Sequence, residues 1–416
     1  MRNNSYNSRR PGAQRPSFGG QRSSFGGPRR SFNNKPKTGG RTGAYIHPSK
    51  FVNKAVTPKT EVVYIANHQF ADFPFSKALH ANIAERNFVQ PSAIQDQAIP
   101  YILEGKDVIG LANTGTGKTA AFVLPMIEHL SRQKTDMPAV LIMAPTRELA
   151  AQIDDEFRRF SRGMRLFSAL CVGGMNIGYQ IRDLNRRPHV VIGTPGRLKD
   201  LSNKGVLKLD QVEILVLDEA DRMLDMGFLP DIRHIVGLLP KERQSLCFSA
   251  TITPAIQDLI NTLLIDPVTV SVRTSETSEH VEQDVIEASS KEEKIDILNK
   301  LLAEEEFDKV LIFGQTKFGV QRLADKLTQD GFPSAAIHGD KSQPQRQRAL
   351  NQFKRNDVKV LVATDVAARG LDIPNVSHVI NFDQPMTYED YVHRIGRTGR
   401  GGAKGKAFTF VEPRRR

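Results

Sequence analysis

Residues 212–221 read Val-Glu-Ile-Leu-Val-Leu-Asp-Glu-Ala-Asp, a short apolar run that breaks abruptly into acidic side chains. A continuous Val/Ile/Leu segment suits a parallel strand buried on both faces, and such a strand delivers whatever follows it to the carboxyl edge of a sheet, where ligands bind. At that edge Asp218 can hold a magnesium ion through its water shell, and Glu219 can orient or deprotonate a water. A solvated strand end has the same composition, so the stretch needs a partner.

Residues 107–119, Asp-Val-Ile-Gly-Leu-Ala-Asn-Thr-Gly-Thr-Gly-Lys-Thr, supply one. Strand, glycine-bearing loop, Lys-Thr and an apolar helix from Ala120 follow in the order a phosphate-binding loop requires. Gly115 and Gly117 let backbone N–H groups approach phosphate oxygens, Lys118 reaches the β and γ phosphates, and the Thr119 hydroxyl completes a Mg2+ shell. Ala112 stands where the general pattern has its first glycine; a small residue serves there. Upstream, Gln95 carries an amide that can donate to N7 and accept from the N6 amino group of adenine, which together with Lys118 points to ATP.

The chain has 416 residues, too many for one ordinary core, and suggests two domains with a tail. Net charge is +12, yet residues 1–60 hold 13 Lys and Arg and no acid, which leaves 58 − 13 = 45 basic against 46 acidic residues elsewhere. The basicity therefore belongs to the tail. Cys171 and Cys247 each lie in an apolar run and read as small core residues of a reducing, cytoplasmic compartment. No apolar stretch is long enough for a membrane span, and the N-terminus lacks the apolar block of a signal peptide.

Residues 1–43 are rich in Arg, Gly, Ser, Asn and Pro and repeat Ser-Phe-Gly-Gly at 17–20 and 24–27. Such composition predicts disorder. Phe18, Phe25 and Phe32 each follow an arginine by three places, an arrangement that suits either sequence-tolerant stacking on single-stranded nucleic acid or a plain solvating linker.

Along the first half, further strands are expected at 139–144, 166–171, 189–193, 245–249 and 268–272, and a helix at 75–87. Thr146 and Arg147 open a helix that can hold a backbone phosphate or is simply capped. Gly173-Gly174 and Thr194-Pro-Gly-Arg197 leave room for a phosphate backbone, and are equally compatible with ordinary turns. The hydroxyls of Ser249 and Thr251 fall at the same edge as Asp218. A polar linker at 273–280 separates a second α/β half, with strands at 309–313 and 358–363, helices at 318–329 and 343–353, and a last strand at 406–411. Residues 391–400, Tyr-Val-His-Arg-Ile-Gly-Arg-Thr-Gly-Arg, would align His393, Arg397 and Arg400 on one face if helical, where an arginine could reach a γ-phosphate held by the first half. A basic solvated helix face is the alternative.

Taken in order, these stretches resemble the DEAD-box RNA helicase family from Phe70 to Val411. The resemblance rests on Phe70 with 88–95, on 112–119, 145–150, 173–174, 194–197, 218–221, 249–251, 364–372 and 393–400. It implies an α/β protein with two RecA-like parallel-sheet domains in tandem, at 44–272 and 281–416, behind a disordered basic tail. It implies ATP and Mg2+ in the cleft and RNA, single-stranded or in short duplexes, across both domains. On that basis Phe70 and Phe88 support Gln95 around adenine. Asn113, Thr114, Gly115, Thr116 and Gly117 form the loop before Lys118 and Thr119, and Asp372 binds ribose. Ser249 and Thr251 couple hydrolysis to strand separation. Arg397 and Arg400 are arginine fingers, and His393 bridges to the first domain. Arg147, Gly174, Thr194, Arg197 and Thr364 contact the RNA backbone. Ribonucleoprotein targets, a monomeric state and self-association through the tail are further expectations. Asn87 and Asn113 depart from the Gly and Gln that the family favours there, and the sequence stops soon after 406–411, so a minimal second domain is expected.

Overall fold

Two stacks of alternating strands and helices follow from the two alternating halves of the sequence. A computed structural model describes residues 47–52, 64–113, 115–132, 138–272, 281–368, 373, 375–399 and 405–413, and all of these belong to one compact unit, Gly43–Arg416. The expected tail at 1–43, Thr114, the 273–280 linker, Asp372 and Arg400 lie outside the described residues.

The first lobe runs α1 (Lys77–Glu85), α2 (Ala93–Leu103), β1 (Val108–Ala112), α3 (Lys118–Arg132), β2 (Val140–Met143), α4 (Arg147–Phe160), β3 (Ser168–Cys171), α5 (Ile177–Asn185), β4 (Val190–Gly193), α6 (Pro195–Asn203), β5 (Ile214–Leu217), α7 (Ala220–Asp225), α8 (Leu229–Val236), β6 (Gln244–Ser249), α9 (Pro254–Leu263) and β7 (Val268–Val272). Its strands pair in parallel in the order β3-β4-β2-β5-β6-β1-β7. The opening stretch is the central strand β5. Ile214 and Val216 enter one apolar layer and Leu215 and Leu217 the other, which is why the run has no polar alternation. Asp218 through Asp221 therefore emerge at the middle of the carboxyl edge, with β1 and its loop two strands away.

The second lobe runs β8 (Val281–Glu287), α10 (Lys291–Ala303), β9 (Val310–Phe313), α11 (Lys317–Gln329), β10 (Ser334–Ile337), α12 (Gln343–Lys354), β11 (Val360–Ala363), α13 (Asp365–Ala368), β12 (His378–Asn381), α14 (Tyr388–Ile395) and β13 (Gly405–Val411). These strands too are parallel, in the order β10-β11-β9-β12-β13-β8. The strands and helices expected here from sequence fall within two residues of those observed, while β8, α10, β10 and β12 carry weaker patterns and were not expected.

Two differences matter. Residues 391–400 are not one helix: α14 stops at Ile395, Gly396 caps it, and Gly399 takes a left-handed φ of 67°. Arg397 thus leaves the helix end rather than sharing its face with His393, because a glycine pair costs a helix interior about 1 kcal/mol each and here serves to turn the chain. Secondly, the 3-10 turn Pro48–Phe51, inside the 44–272 span, packs not on the first lobe but on the second, where Phe51 joins the core with Val281, Tyr391 and Ile395.

Candidate functional site: a phosphate loop facing a second lobe

The loop between β1 and α3 is held from behind by the start of α2. Ser92 and Gln95 form a reciprocal N-terminal cap, with Gln95 Oε1 accepting from the Ser92 N–H at 2.8 Å. Both side chains also grip the loop: Ser92 Oγ donates to the Thr116 carbonyl at 2.7 Å and Gln95 Nε2 to the Gly117 carbonyl at 3.0 Å. Gly115 and Gly117 take φ values of 89° and 91°, and a Cβ on Gly117 would run into Gln95 Nε2. Glycine is required there by conformation and by space at once. Thr116 Oγ1 closes the loop on the Asn113 carbonyl at 2.8 Å. Lys118 and Thr119 open α3, whose N-terminus carries partial positive charge. Buried Lys118 donates to the Ala112 carbonyl at 2.7 Å, a neutral acceptor that a phosphate oxygen would readily replace.

Asp218 follows β5 and is buried, with Oδ1 accepting from the Glu219 N–H at 3.0 Å. Burial pushes its carboxyl up to about 7; the Lys118 ammonium pulls it down, while Glu219 and Asp221 push it further up. A buried carboxyl crowded by two others favours a cation, which fits a Mg2+ ligand. Among the described residues no group of three His, Cys, Asp or Glu could hold a metal. Glu219 takes a left-handed φ of 52°, strain that a non-glycine residue accepts only where its surroundings impose it. Its carboxylate lies 3.4 Å from the Arg222 guanidinium, both side chains being buried.

Asp221, which the sequence reading left without a role, is the hub of this edge. Its Oδ2 accepts from the N–H groups of Ala250 and Thr251, both at 3.0 Å, and from Thr251 Oγ1 at 3.2 Å. Ser249 Oγ in turn donates to the Thr251 carbonyl at 2.8 Å. The loop after β6 is therefore tied directly to the acidic stretch after β5.

A cavity of about 380 Å³ is lined by Phe88, Gln95, Lys118, Thr119, Asp218 and Glu219, and by Lys354 from the second lobe. Its aromatic wall is built edge to face: Phe88 lies 5.6 Å from Phe70 and 5.5 Å from Phe160. The volume is of the size that small-molecule sites occupy.

The second lobe brings α14 to this edge. Burial first, then the Arg222 guanidinium, pushes the His393 imidazole down to about 4, with Asp221 acting the other way. His393 is thus a neutral ring set among first-lobe charges, and Arg397 beside it is buried. Arg394 turns inward instead: Nε pairs with Asp365 Oδ1 at 2.5 Å and Nη2 with Oδ2 at 2.7 Å, and Nη1 donates to the Asp383 carbonyl at 2.7 Å. It braces the helix end and is not available to a ligand.

A second bridge between the lobes was not anticipated. At the start of α12, Gln343 Nε2 donates to Glu148 Oε1 at 3.1 Å and Arg346 Nη2 pairs with Glu148 Oε2 at 3.0 Å, all three residues being buried. A Gln-x-x-Arg spacing at a helix start was the only sequence signal.

Four residues expected to touch RNA gather at the carboxyl ends of β2, β3 and β4. The Arg147 guanidinium lies over Gly173 and Gly174, where a Cβ at Gly174 would collide with it, and Gly174 has φ 74°. Arg197 Nη1 reaches the Met175 carbonyl at 3.4 Å, and Thr194 caps α6. Thr364 stands at the corresponding edge of the second sheet, after β11, with its N–H donating to the Ile337 carbonyl at 3.3 Å.

A phosphate loop on one parallel sheet, with a second parallel-sheet lobe bringing His393 among the first lobe's charges, defines a two-lobed nucleotide-driven protein of helicase type. Residues 92–259 match the DEAD/DEAH box helicase family and 293–402 the helicase conserved C-terminal domain. The ATP-dependent RNA helicase CshA of Limosilactobacillus reuteri is 44% identical over 346 residues, covering 83% of this chain and 69% of that protein. The DEAD-box ATP-dependent RNA helicase CshA of Bacillus subtilis (strain 168) is also 44% identical, over 83% of this chain and 70% of that protein. Among solved structures, S. cerevisiae Dbp5 bound to RNA and ADP BeF3 superposes with a TM-score of 0.73 at 33% identity, over 83% of this chain and 90% of that one. Mss116p bound to ssRNA and AMP-PNP gives 0.74 at 32% identity, over 81% and 73%. The chain belongs to the DEAD-box family of ATP-dependent RNA helicases.

Proposed function

We propose that this chain is an RNA-stimulated ATPase whose lobes clamp an RNA backbone, and that it opens short duplexes or remodels ribonucleoproteins as ATP is bound and hydrolysed. The observation that carries the reading is the placement of His393, from the second lobe, among Glu219, Asp221 and Arg222 of the first, with Arg397 buried just beyond the end of its helix. A site completed only by apposition makes hydrolysis conditional on whatever brings the lobes together.

Gln95 faces adenine beside Phe88 and Phe70, and Lys118 exchanges the Ala112 carbonyl for phosphate oxygens. Thr119 and Asp218 would hold Mg2+, which when bound neutralises phosphate charge. Glu219 orients the attacking water. Arg397, with Arg400, stabilises charge developing on the transferred phosphoryl group, an effect worth roughly 10³ to 10⁵ in rate for such arginines. Asp372 takes the ribose. Arg147, Gly174, Thr194, Arg197 and Thr364 take RNA phosphates and sugars, contacts without base information, so recognition is independent of sequence. Asp221 carries the state of the nucleotide edge to the Ser249–Thr251 loop, the coupling step. ATP and RNA act together because each binds the apposed lobes better than the parted ones.

The chain works as a cytoplasmic monomer, with the 1–43 tail adding salt-sensitive affinity for RNA and a capacity for self-association. Among the described residues no helix is long and apolar enough to cross a membrane, and both cysteines are buried with thiols pushed up to about 12 by burial.

ATP hydrolysis measured with and without RNA tests the proposal. RNA should raise the rate, Lys118→Ala should abolish it, and DNA of the same sequence should stimulate poorly because it lacks the 2′-hydroxyl. An RNA-independent rate, or full activity in Lys118→Ala, overturns it. Clamping of RNA without duplex opening would restrict the function to ATP-gated binding.

A further inference from the structure

Residues 47–52 precede the first lobe in the chain and pack on the second. The turn they form is locally built: Pro48 opens it, and His47 Nδ1 accepts from the Ser49 N–H at 3.3 Å and lies 2.7 Å from the Ser49 hydroxyl. This turn presents Phe51 to the second lobe, where its side chain is 0% exposed. Its ring sits 4.7 Å from that of Tyr391, tilted by 53°. The Tyr391 hydroxyl donates to Gln283 Oε1 on β8 at 2.9 Å and stands 3.5 Å from the Phe51 carbonyl. The neighbouring Val52 is half exposed, so the segment is anchored through Phe51.

Tyr391 belongs to α14, the helix that carries His393 and ends just before Arg397. Tyr391 and Ile395, one turn apart, share the face that meets Phe51. His393, two residues from Tyr391 and about 200° around the helix, is directed the other way, among the charges of Glu219, Asp221 and Arg222. Phe51 therefore backs the helix on the side away from the first lobe.

We infer that Phe51 is a positioning residue for ATP hydrolysis: seated against Tyr391, it braces α14 so that His393 and Arg397 are held toward the nucleotide edge of the first lobe. This rests on the proposed roles of those two residues. The brace is also tethered, since residues 53–63 lead from it into the first lobe, giving the lobes a second chain connection besides 273–280.

The test compares the full chain with Phe51→Ala and Phe51→Leu. Because Arg397 acts on the transition state, Phe51→Ala should lower the RNA-stimulated kcat about tenfold with the KM for ATP within about twofold. Phe51→Leu should restore most of the rate, and a peptide of residues 44–55 added to Phe51→Ala at about 1 mM should restore it saturably. Independently of activity, hydrogen exchange at the amides of 388–395 should quicken in Phe51→Ala while β9 and β11 stay protected. A Phe51→Ala chain with wild-type kcat and wild-type exchange in α14 overturns the inference. So does general loss of protection across the second sheet, which would make Phe51 an ordinary core residue. A wild-type chain without RNA-stimulated hydrolysis would instead defeat the proposed function, and the exchange experiment would still decide whether Phe51 holds α14.

Discussion

His393 shows how a single side chain reports on the whole clamp. In the apposed lobes its ring is partly withdrawn from water and feels the Arg222 charge, and its pKa is down to about 4. Parted lobes would return it to water, where an imidazole titrates near 6.5. Between those two values the apposed form binds fewer protons, so apposition is at full strength above about pH 6.5 and weakens as pH falls from there toward 4. Lobe distance followed by fluorescence transfer in the presence of ATP and RNA should therefore lengthen on acidification through that window. His393→Asn, which cannot take a proton, should flatten the response. An unchanged profile in that variant would assign the effect to another group at the contact between the lobes.

At the scale of elements, the turn that ends α1 explains one departure from the family pattern. The Asn87 N–H donates to the Ala84 carbonyl at 2.9 Å and the Phe88 N–H to Ile83 at 3.3 Å, with Asn87 left-handed at φ 56°. This is the paired bonding that closes a helix, and it demands glycine or asparagine at that position. Asn87→Gly should be neutral, whereas Asn87→Ala should cost about 1 kcal/mol in urea unfolding and raise the KM for ATP, because the turn aims Phe88 into the cavity. Equal stability of the two variants would show the turn to be unstrained. The same physics separates what was legible in the sequence from what was not. β1 with its loop and β5 with its acidic end were readable because continuous apolar runs and glycine spacing are local. The alignment of His393, Arg397 and Arg400 on one face holds only if 391–400 is helical, and Gly396, which caps α14, removes that condition. Glu148, Gln343, Arg346 and Phe51 were invisible because their partners lie hundreds of residues away, and no local pattern marks a contact between lobes.

For the molecule as a whole, the Glu148 bridge raises the question of whether apposition is favoured or merely permitted by the chain. A buried ion pair that loses one partner leaves an uncompensated charge, at about 3–5 kcal/mol, whereas replacing both partners by apolar side chains is close to neutral. Here the penalty has an escape: if the lobes part, Glu148 regains water. Arg346→Ala should therefore leave the unfolding midpoint of the lobes nearly unchanged while shifting the population toward the parted form, about tenfold for each 1.4 kcal/mol of the penalty. The same shift should appear as weaker apparent binding of RNA in the presence of ATP. Glu148→Ala should behave alike, since it strands Arg346, whose guanidinium is already held below its usual range by burial. The double variant Glu148→Leu/Arg346→Met should recover most of the apposed population. That recovery is the decisive outcome: if the double variant is as impaired as either single one, the bridge does not hold the lobes together, and the His393 contact must carry apposition unaided.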